Sequence, residues 1–300
     1  MTDRLNIQGI LAVIVAAVAF SSKSIWIKLL YQENLSTIQI LKWRMLISFP
    51  AYLFWIFYVR KSWLNLQSRE WLLITACGLL GYYLASYLDL AGLQYISAGL
   101  ERLVLFTYPG FVLIFSFFLF KRKIQLRQYL ALAIAYLGLA IIMQHQNRET
   151  SNLLLGIGLV LGSSLTYAGY LVGMESLLKK RPAIMIAAWS MIFSTVATMI
   201  HAAIAEPHQL LIIESYNSNA WILLFILAGF STVLPNFLLA FGISKIGSDN
   251  TAIIGTLGPA STLVLAYFFL NEPMGFIEIT GTGLFIYGIF VLKTPVKSHS

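Results

Sequence analysis

Residues 92–124 read GLQYISAGLERLVLFTYPGFVLIFSFFLFKRKI, and residues 242–274 read GISKIGSDNTAIIGTLGPASTLVLAYFFLNEPM. At a constant offset of 150 residues, Gly92 falls on Gly242, Ile96 on Ile246, Pro109 on Pro259, Leu113 on Leu263 and Phe118 on Phe268. Each copy has one grammar: a helix ends, a short polar turn follows, and a new helix starts with a proline about ten residues in. Turn, proline and polar helix end coincide without a gap. Duplication on this scale in an apolar chain is the sequence sign of a membrane carrier built from two repeats.

The composition agrees. The 300 residues are 59% hydrophobic and 11% charged, with a mean hydropathy of +0.80. Soluble domains carry about 45–50% apolar and about 25% charged residues, so a soluble globule is excluded. A chain in lipid must satisfy its own backbone, as a helical bundle or a closed barrel. The apolar runs are continuous over about 20 residues, which suits helices; barrel strands are about ten residues long and alternate. The single Cys77 offers neither a disulfide framework nor a metal-binding pair, and no metal or cofactor is expected. The net charge of +8 contains no basic run longer than three residues, so nucleic acid is not the expected partner. The first apolar segment follows the Met1–Gln8 leader, contains Lys23 and Lys28, and lacks a small-residue cleavage site. It reads as a retained helix and not a signal peptide.

Ten spans are predicted, at about 8–31, 37–59, 71–96, 98–120, 124–143, 153–178, 183–205, 219–245, 249–270 and 274–293. They form two five-helix repeats, 8–143 and 153–293, with no room for a soluble domain. With the N-terminus inside, the inner loops, inner helix ends and termini hold fourteen Lys and Arg, while the outer loops hold only Arg148. That asymmetry obeys the positive-inside rule and places both termini in the cytoplasm. Five spans per repeat is an odd number, so the second repeat enters the membrane upside down relative to the first. The fold class is therefore all-α and integral to the membrane, with ten transmembrane helices in two inverted five-helix repeats.

These residues carry a resemblance. Ten spans in two halves, the phrase from Gly92 to Leu103 followed by Tyr108-Pro109, Phe20-Ser-Ser-Lys-Ser24 in the first span and Asn271-Glu-Pro273 before the last resemble the EamA-type branch of the drug/metabolite transporter superfamily. The similarity covers about 8–143 and 153–293. It implies a ten-helix secondary carrier of the cytoplasmic membrane, usually an exporter of amino acids or other small metabolites. One departure is plain: Lys121-Arg122-Lys123 stands where such proteins often carry a Gly-Glu pair. Resemblance names no substrate.

Intramembrane charge marks the candidate site, since a basic residue at the bilayer centre costs about 2.5–3.5 kcal/mol on insertion scales. At 1.5 Å per residue, Lys23 and Arg44 lie about 6 Å outward from their helix midpoints, and Asp89, Lys42 and Arg102 about 8–10 Å. One layer in the outer half of the membrane is expected. Lys23, flanked by Ser21, Ser22 and Ser24, is the leading substrate anchor, the serines hydrating a cavity; the alternative is a permanent ion pair with Asp89. Asp89 can carry a proton and couple transport to a gradient, or stay ionised beside a cation. Glu101 is a substrate contact or a favourable first-turn acid. Arg102 in the same turn opposes the helix dipole and calls for a carboxylate partner or a substrate.

Lys42 and Arg44 lie about 200° apart on a helix, so Arg44 faces the cavity and Lys42 snorkels. Lys28 reads as an interface anchor and Glu278 as a first-turn acid. Asn236 either binds substrate or repairs the backbone freed by Pro235. Pro109, Pro235 and Pro259 are the candidate hinges. Trp26 and Tyr87 are possible pathway residues.

The expected function is secondary transport by alternating access, of small metabolites such as amino acids or organic anions, by a monomer or homodimer. The layer's bias, five basic residues against three acidic, favours substrates with a carboxylate or phosphate. Carriage of lipid-linked or nucleotide-linked substrates is the alternative within the class, and a receptor or channel the alternative outside it. A buried nucleophile with its base is missing: no Gly-x-Ser-x-Gly elbow occurs, and only His201 of the four histidines falls in a span, so an enzyme is not expected.

Overall fold

The computed structural model describes residues 7–58, 66–121, 125–145, 152–178, 181–209 and 216–293. The described residues form helices joined by short turns. The first span is α1 (Ile7–Ser21) and α2 (Lys23–Gln32), broken at Ser22, and the second is α3 (Thr37–Tyr58). The third comprises α4 (Ser68–Cys77), a π-helical stretch Gly78–Leu84 and α5 (Ala85–Leu93). The fourth is α6 (Ala98–Leu105) and α7 (Tyr108–Phe120), and the fifth α8 (Leu126–His145). In the second half come α9 (Leu153–Leu178), α10 (Ala183–Ala205), then α11 (Ser218–Phe225), a π-helical stretch Ile226–Val233 and α12 (Leu234–Gly255). The chain ends with α13 (Leu257–Leu270) and α14 (Phe276–Lys293). Among the described residues eight helices are long and apolar enough to cross a membrane, and Leu257–Leu270 and Phe276–Leu292 are shorter apolar ones. Together they account for the ten spans.

The duplication persists at the level of helix ends. α4 and α11 start at Ser68 and Ser218, α7 and α13 end at Phe120 and Leu270, and α8 and α14 start at Leu126 and Phe276, each pair 150 residues apart. Both α7 and α13 stop on a left-handed residue, Lys121 at φ 52° and Asn271 at φ 54°. This conformation breaks the helical hydrogen-bond ladder and turns the chain sharply. The π-helical stretches fall in the same place in the two halves, and each widens a span in mid-membrane.

One turn differs. In the first copy Ser97 accepts a hydrogen bond from the Leu100 N–H at 3.2 Å and so caps α6. The equivalent position is Gly247, which has no side chain to cap with, and the turn expected between the spans 219–245 and 249–270 falls inside α12.

Packing supplies the symmetry. The first span packs against the eighth and the third against the sixth; the second packs against the seventh and the fifth against the tenth. Exchanging the repeats turns the first pairing into the second and leaves the others unchanged, which is the signature of a two-fold relation between halves. Because each half has five spans, the two cross the membrane in opposite senses. The fifth and tenth spans touch backbone to backbone: a Cβ added at Gly288 would lie 2.5 Å from the Ala135 nitrogen and 2.6 Å from the Ala131 oxygen. Small residues permit that approach where helix association rests on van der Waals contact. Large apolar side chains such as Phe118, Leu154 and Phe276 point outward, as lipid requires.

The three candidate hinge prolines each lie just after a change in helical geometry. Pro109 is the second residue of α7, Pro235 the second of α12 and Pro259 the third of α13. Each follows a discontinuity, at Phe106–Thr107, the second π-helical stretch and Thr256 respectively. Pro109 and Pro259 therefore start helices instead of kinking them, whereas Pro235 follows the π-helical stretch without a break in the helix.

Candidate substrate-binding cavity

A cavity of about 500 Å³ lies between the repeats, and Lys23, Arg44, Asp89, Arg102 and Asn236 all line it. The sequence places the four charged ones in one layer, and the structure brings them together around the cavity. Glu101, the sixth predicted residue, does not line the cavity and has no exposed surface.

The first span organises the layer by breaking at Ser22. Lys23 opens α2, and its Nζ donates to Asp89 Oδ2 at 2.5 Å. Ser24 Oγ donates to Glu101 Oε2 at 2.5 Å. Ser22 Oγ meets Ser231 Oγ of the second repeat at 2.8 Å, and the Ser21 carbonyl accepts from Thr262 Oγ1 at 3.1 Å. All three serines are buried. They do not hydrate the cavity as their sequence context suggests; they tie the broken span to its neighbours.

The two arginines are held differently. Arg44 Nε donates to Thr232 Oγ1 at 3.0 Å, and its Nη1 has no partner. Arg102 Nη2 reaches Ser21 Oγ at 3.4 Å, its Nε has no partner, and its guanidinium lies over Phe106 and Phe20 at 5.1 and 5.9 Å. Among the described residues neither forms a salt bridge. Arg102 also corrects the dipole argument. The break at Phe106 makes α6 only eight residues long, so Arg102 lies in its last turn and Glu101 in its first. Each charge then faces the end of the short helix that suits it.

Asn236 lines the cavity, and its Nδ2 donates to the Thr232 carbonyl and to the Tyr52 hydroxyl, each at 2.9 Å. Lys42 departs from expectation: it is 2% exposed, beside the Trp43 ring, and does not snorkel to the surface. Trp26 packs on Phe269 and Tyr87 on His201, and neither lines the cavity. Glu278 accepts from the Gly275 N–H at 2.9 Å, as a first-turn acid should.

Sequence reasoning missed the aromatic wall of Tyr82, Tyr108 and Tyr167 and the hydroxyls of Ser163 and Thr232. Their signal was present as polar residues inside apolar spans. Tyr108 and Tyr167 meet edge to face at 5.2 Å.

Beyond the charged layer, one end of the bundle is closed by bonds between repeats. Ser36 Oγ donates to Glu206 Oε1 at 2.6 Å, and Glu272 accepts from the N–H groups of Ala98 and Gly99 at 2.7 and 3.2 Å. Glu33 accepts from Asn217 Nδ2 at 2.6 Å and also from Asn219 Nδ2. These amide donors hold the Glu33 carboxyl below its ordinary range. A lowered folded-state value means that its contribution is complete above the ordinary carboxylate pKa and lost as pH falls through the lowered one. Wild type is therefore expected to melt above Glu33→Gln at neutral pH, and the difference to vanish on acidification. A difference independent of pH would show that the Glu33 charge has no part in this closure.

Ten spans in two inverted halves around a central cavity with charged residues in its lining fit a membrane transport protein. The chain matches the EamA-like transporter family over residues 7–144 and 154–294. It is 30% identical over 294 residues to the uncharacterized transporter YcbK of Bacillus subtilis, covering 96% of this chain and 92% of that one. It is 24% identical to the uncharacterized transporter sll1319 of Synechocystis, covering 99% and 97%. A crystal structure of a protein with 12% sequence identity superposes with a TM-score of 0.65, over 94% of this chain and 95% of that one, a likeness of fold alone. The protein belongs to the EamA-like transporter family.

Proposed function

We propose that this protein is a secondary carrier of small metabolites bearing a carboxylate or phosphate, working by alternating access and exporting them across the cytoplasmic membrane. The observation that carries the reading is the pair of arginines. Arg44 and Arg102 are 5% and 4% exposed, line the cavity and form no salt bridge among the described residues. Buried guanidinium groups without a carboxylate are costly unless an anion visits them, and their planar forks suit carboxylate and phosphate. A volume of about 500 Å³ falls in the range of metabolite sites.

Tyr82, Tyr108 and Tyr167 supply an apolar wall with polar tips for the rest of the ligand. The Lys and Arg asymmetry supports cytoplasmic termini, which makes the end closed at Glu33 and Glu272 the outer one. One chain supplies both halves, so a monomer suffices.

The test is a thermal-shift screen of purified protein in detergent against anionic, zwitterionic and cationic metabolites. A ligand at 100 times its Kd adds about 2.7 kcal/mol. Carboxylate or phosphate compounds are expected to stabilise the protein. Stabilisation by cations or lipids alone would overturn the reading, and net efflux from cells loaded with a stabilising compound tests the export direction.

A further inference from the structure

Positions 150 residues apart show how the two repeats share the cavity. In several pairs both members line it: Tyr82 and Thr232, Ser86 and Asn236, Leu105 and Gly255. Two other pairs are split. Thr251 lines the cavity, whereas its counterpart Glu101 does not and is 0% exposed. Arg44 lines it, whereas its counterpart Ser194, also 0% exposed, does not.

Glu101 and Ser194 have a second property in common. Glu101 Oε1 and Ser194 Oγ are buried and have no hydrogen-bond partner among the described residues. Buried polar atoms left unpaired cost stability and call for a reason. In a carrier with two-fold related halves, the reason lies in its other state. There each repeat takes the arrangement that its counterpart has here, so a residue whose counterpart lines the present cavity comes to line the opposite one. Thr251 lies at the inner start of the ninth predicted span and Glu101 at the outer start of the fourth.

We propose that Glu101 and Ser194 line the outward-open form of the substrate cavity, and that Thr251 and Arg44 are withdrawn from it. This rests on the alternating-access reading above. The bond from Ser24 Oγ to Glu101 Oε2, 2.5 Å long, seals Glu101 in the present state and breaks on the way to the other. Facing inward, an anion meets the Arg44 guanidinium. Facing outward, it loses that cation and meets the Glu101 carboxylate instead. An opposite charge is removed and a like charge supplied, so the anion binds more tightly inside than outside. Such a difference favours loading in the cytoplasm and release outside.

The lining is tested without a substrate. Single-cysteine variants, made after replacing the single native cysteine by Cys77→Ala, are exposed to a membrane-impermeant thiol reagent in right-side-out and inside-out vesicles. Ser86→Cys, at a position that lines both forms, is expected to react from either side. Thr251→Cys should react from the inside only, and Glu101→Cys and Ser194→Cys from the outside only. If Ser86→Cys reacts from the inside alone, alternating access fails and the proposal falls with it. If Ser86→Cys reacts from both sides but Ser194→Cys from neither, or from the inside, the proposal fails alone. Ser194→Cys exchanges one atom, so it decides even where Glu101→Cys does not reach the membrane. An anion that stabilises wild type in the thermal screen should also slow outside labelling of Ser194→Cys, because it favours the inward-open form. Faster labelling would overturn the difference in affinity and leave the lining assignment standing.

Discussion

Asp89→Ala is expected to lower the unfolding free energy by about 3–5 kcal/mol, because it strands the Lys23 ammonium in a buried place. Lys23 is 6% exposed and Asp89 1% exposed, so water offers the stranded charge little. Removing both partners leaves no charge to strand. The Lys23→Ala, Asp89→Ala double variant should therefore lose less than the sum of its single losses, with a coupling of about 0.5–3 kcal/mol. Reversible unfolding in mixed detergent micelles measures all four corners of the cycle. Additive losses would mean that the 2.5 Å contact contributes nothing of its own.

The large features of this fold were legible because they repeat. The 150-residue offset read from Pro109 and Pro259 reappears in helix starts at Ser68 and Ser218 and in left-handed caps at Lys121 and Asn271. Charges were legible for a different reason. A lysine or arginine inside an apolar span is costly enough to stand out, and its depth follows from helix rise alone.

Neighbours across helices were not legible. Nothing local distinguishes a serine that hydrates a cavity from Ser24, whose hydroxyl goes to Glu101. Pro109 marked a candidate hinge but not that the helix stops before it at Phe106, and so the reason that Arg102 suits its helix end stayed hidden. Lys42 was misjudged because periodicity gives a face of a helix but not what covers it. The wall formed by Tyr82, Tyr108 and Tyr167 comes from three different spans, so no single window contains it.

The anion site makes the other large prediction. Arg102→Ala is expected to weaken binding of the stabilising anion by about 2–5 kcal/mol, the usual cost of truncating one partner of a buried, hydrogen-bonded charge pair. At 1.36 kcal/mol per factor of ten that is about 30-fold to beyond 10³-fold, enough to erase the thermal shift at concentrations that saturate wild type. Arg102→Lys keeps the charge but not the planar fork, and should fall between the two. Arg44→Ala should behave like Arg102→Ala if both guanidiniums grip one anionic group. It should be nearly silent toward the anion if Thr232 is its true partner.

The protein has a structural use for Arg102 already, since it lies over Phe106 and Phe20 and reaches Ser21. A merely structural arginine would lower the melting temperature of the ligand-free protein and leave the ligand-induced shift intact. A binding arginine does the reverse. The ratio of those effects in Arg102→Ala and Arg102→Lys separates the roles, and an intact shift in both variants would remove Arg102 from the site.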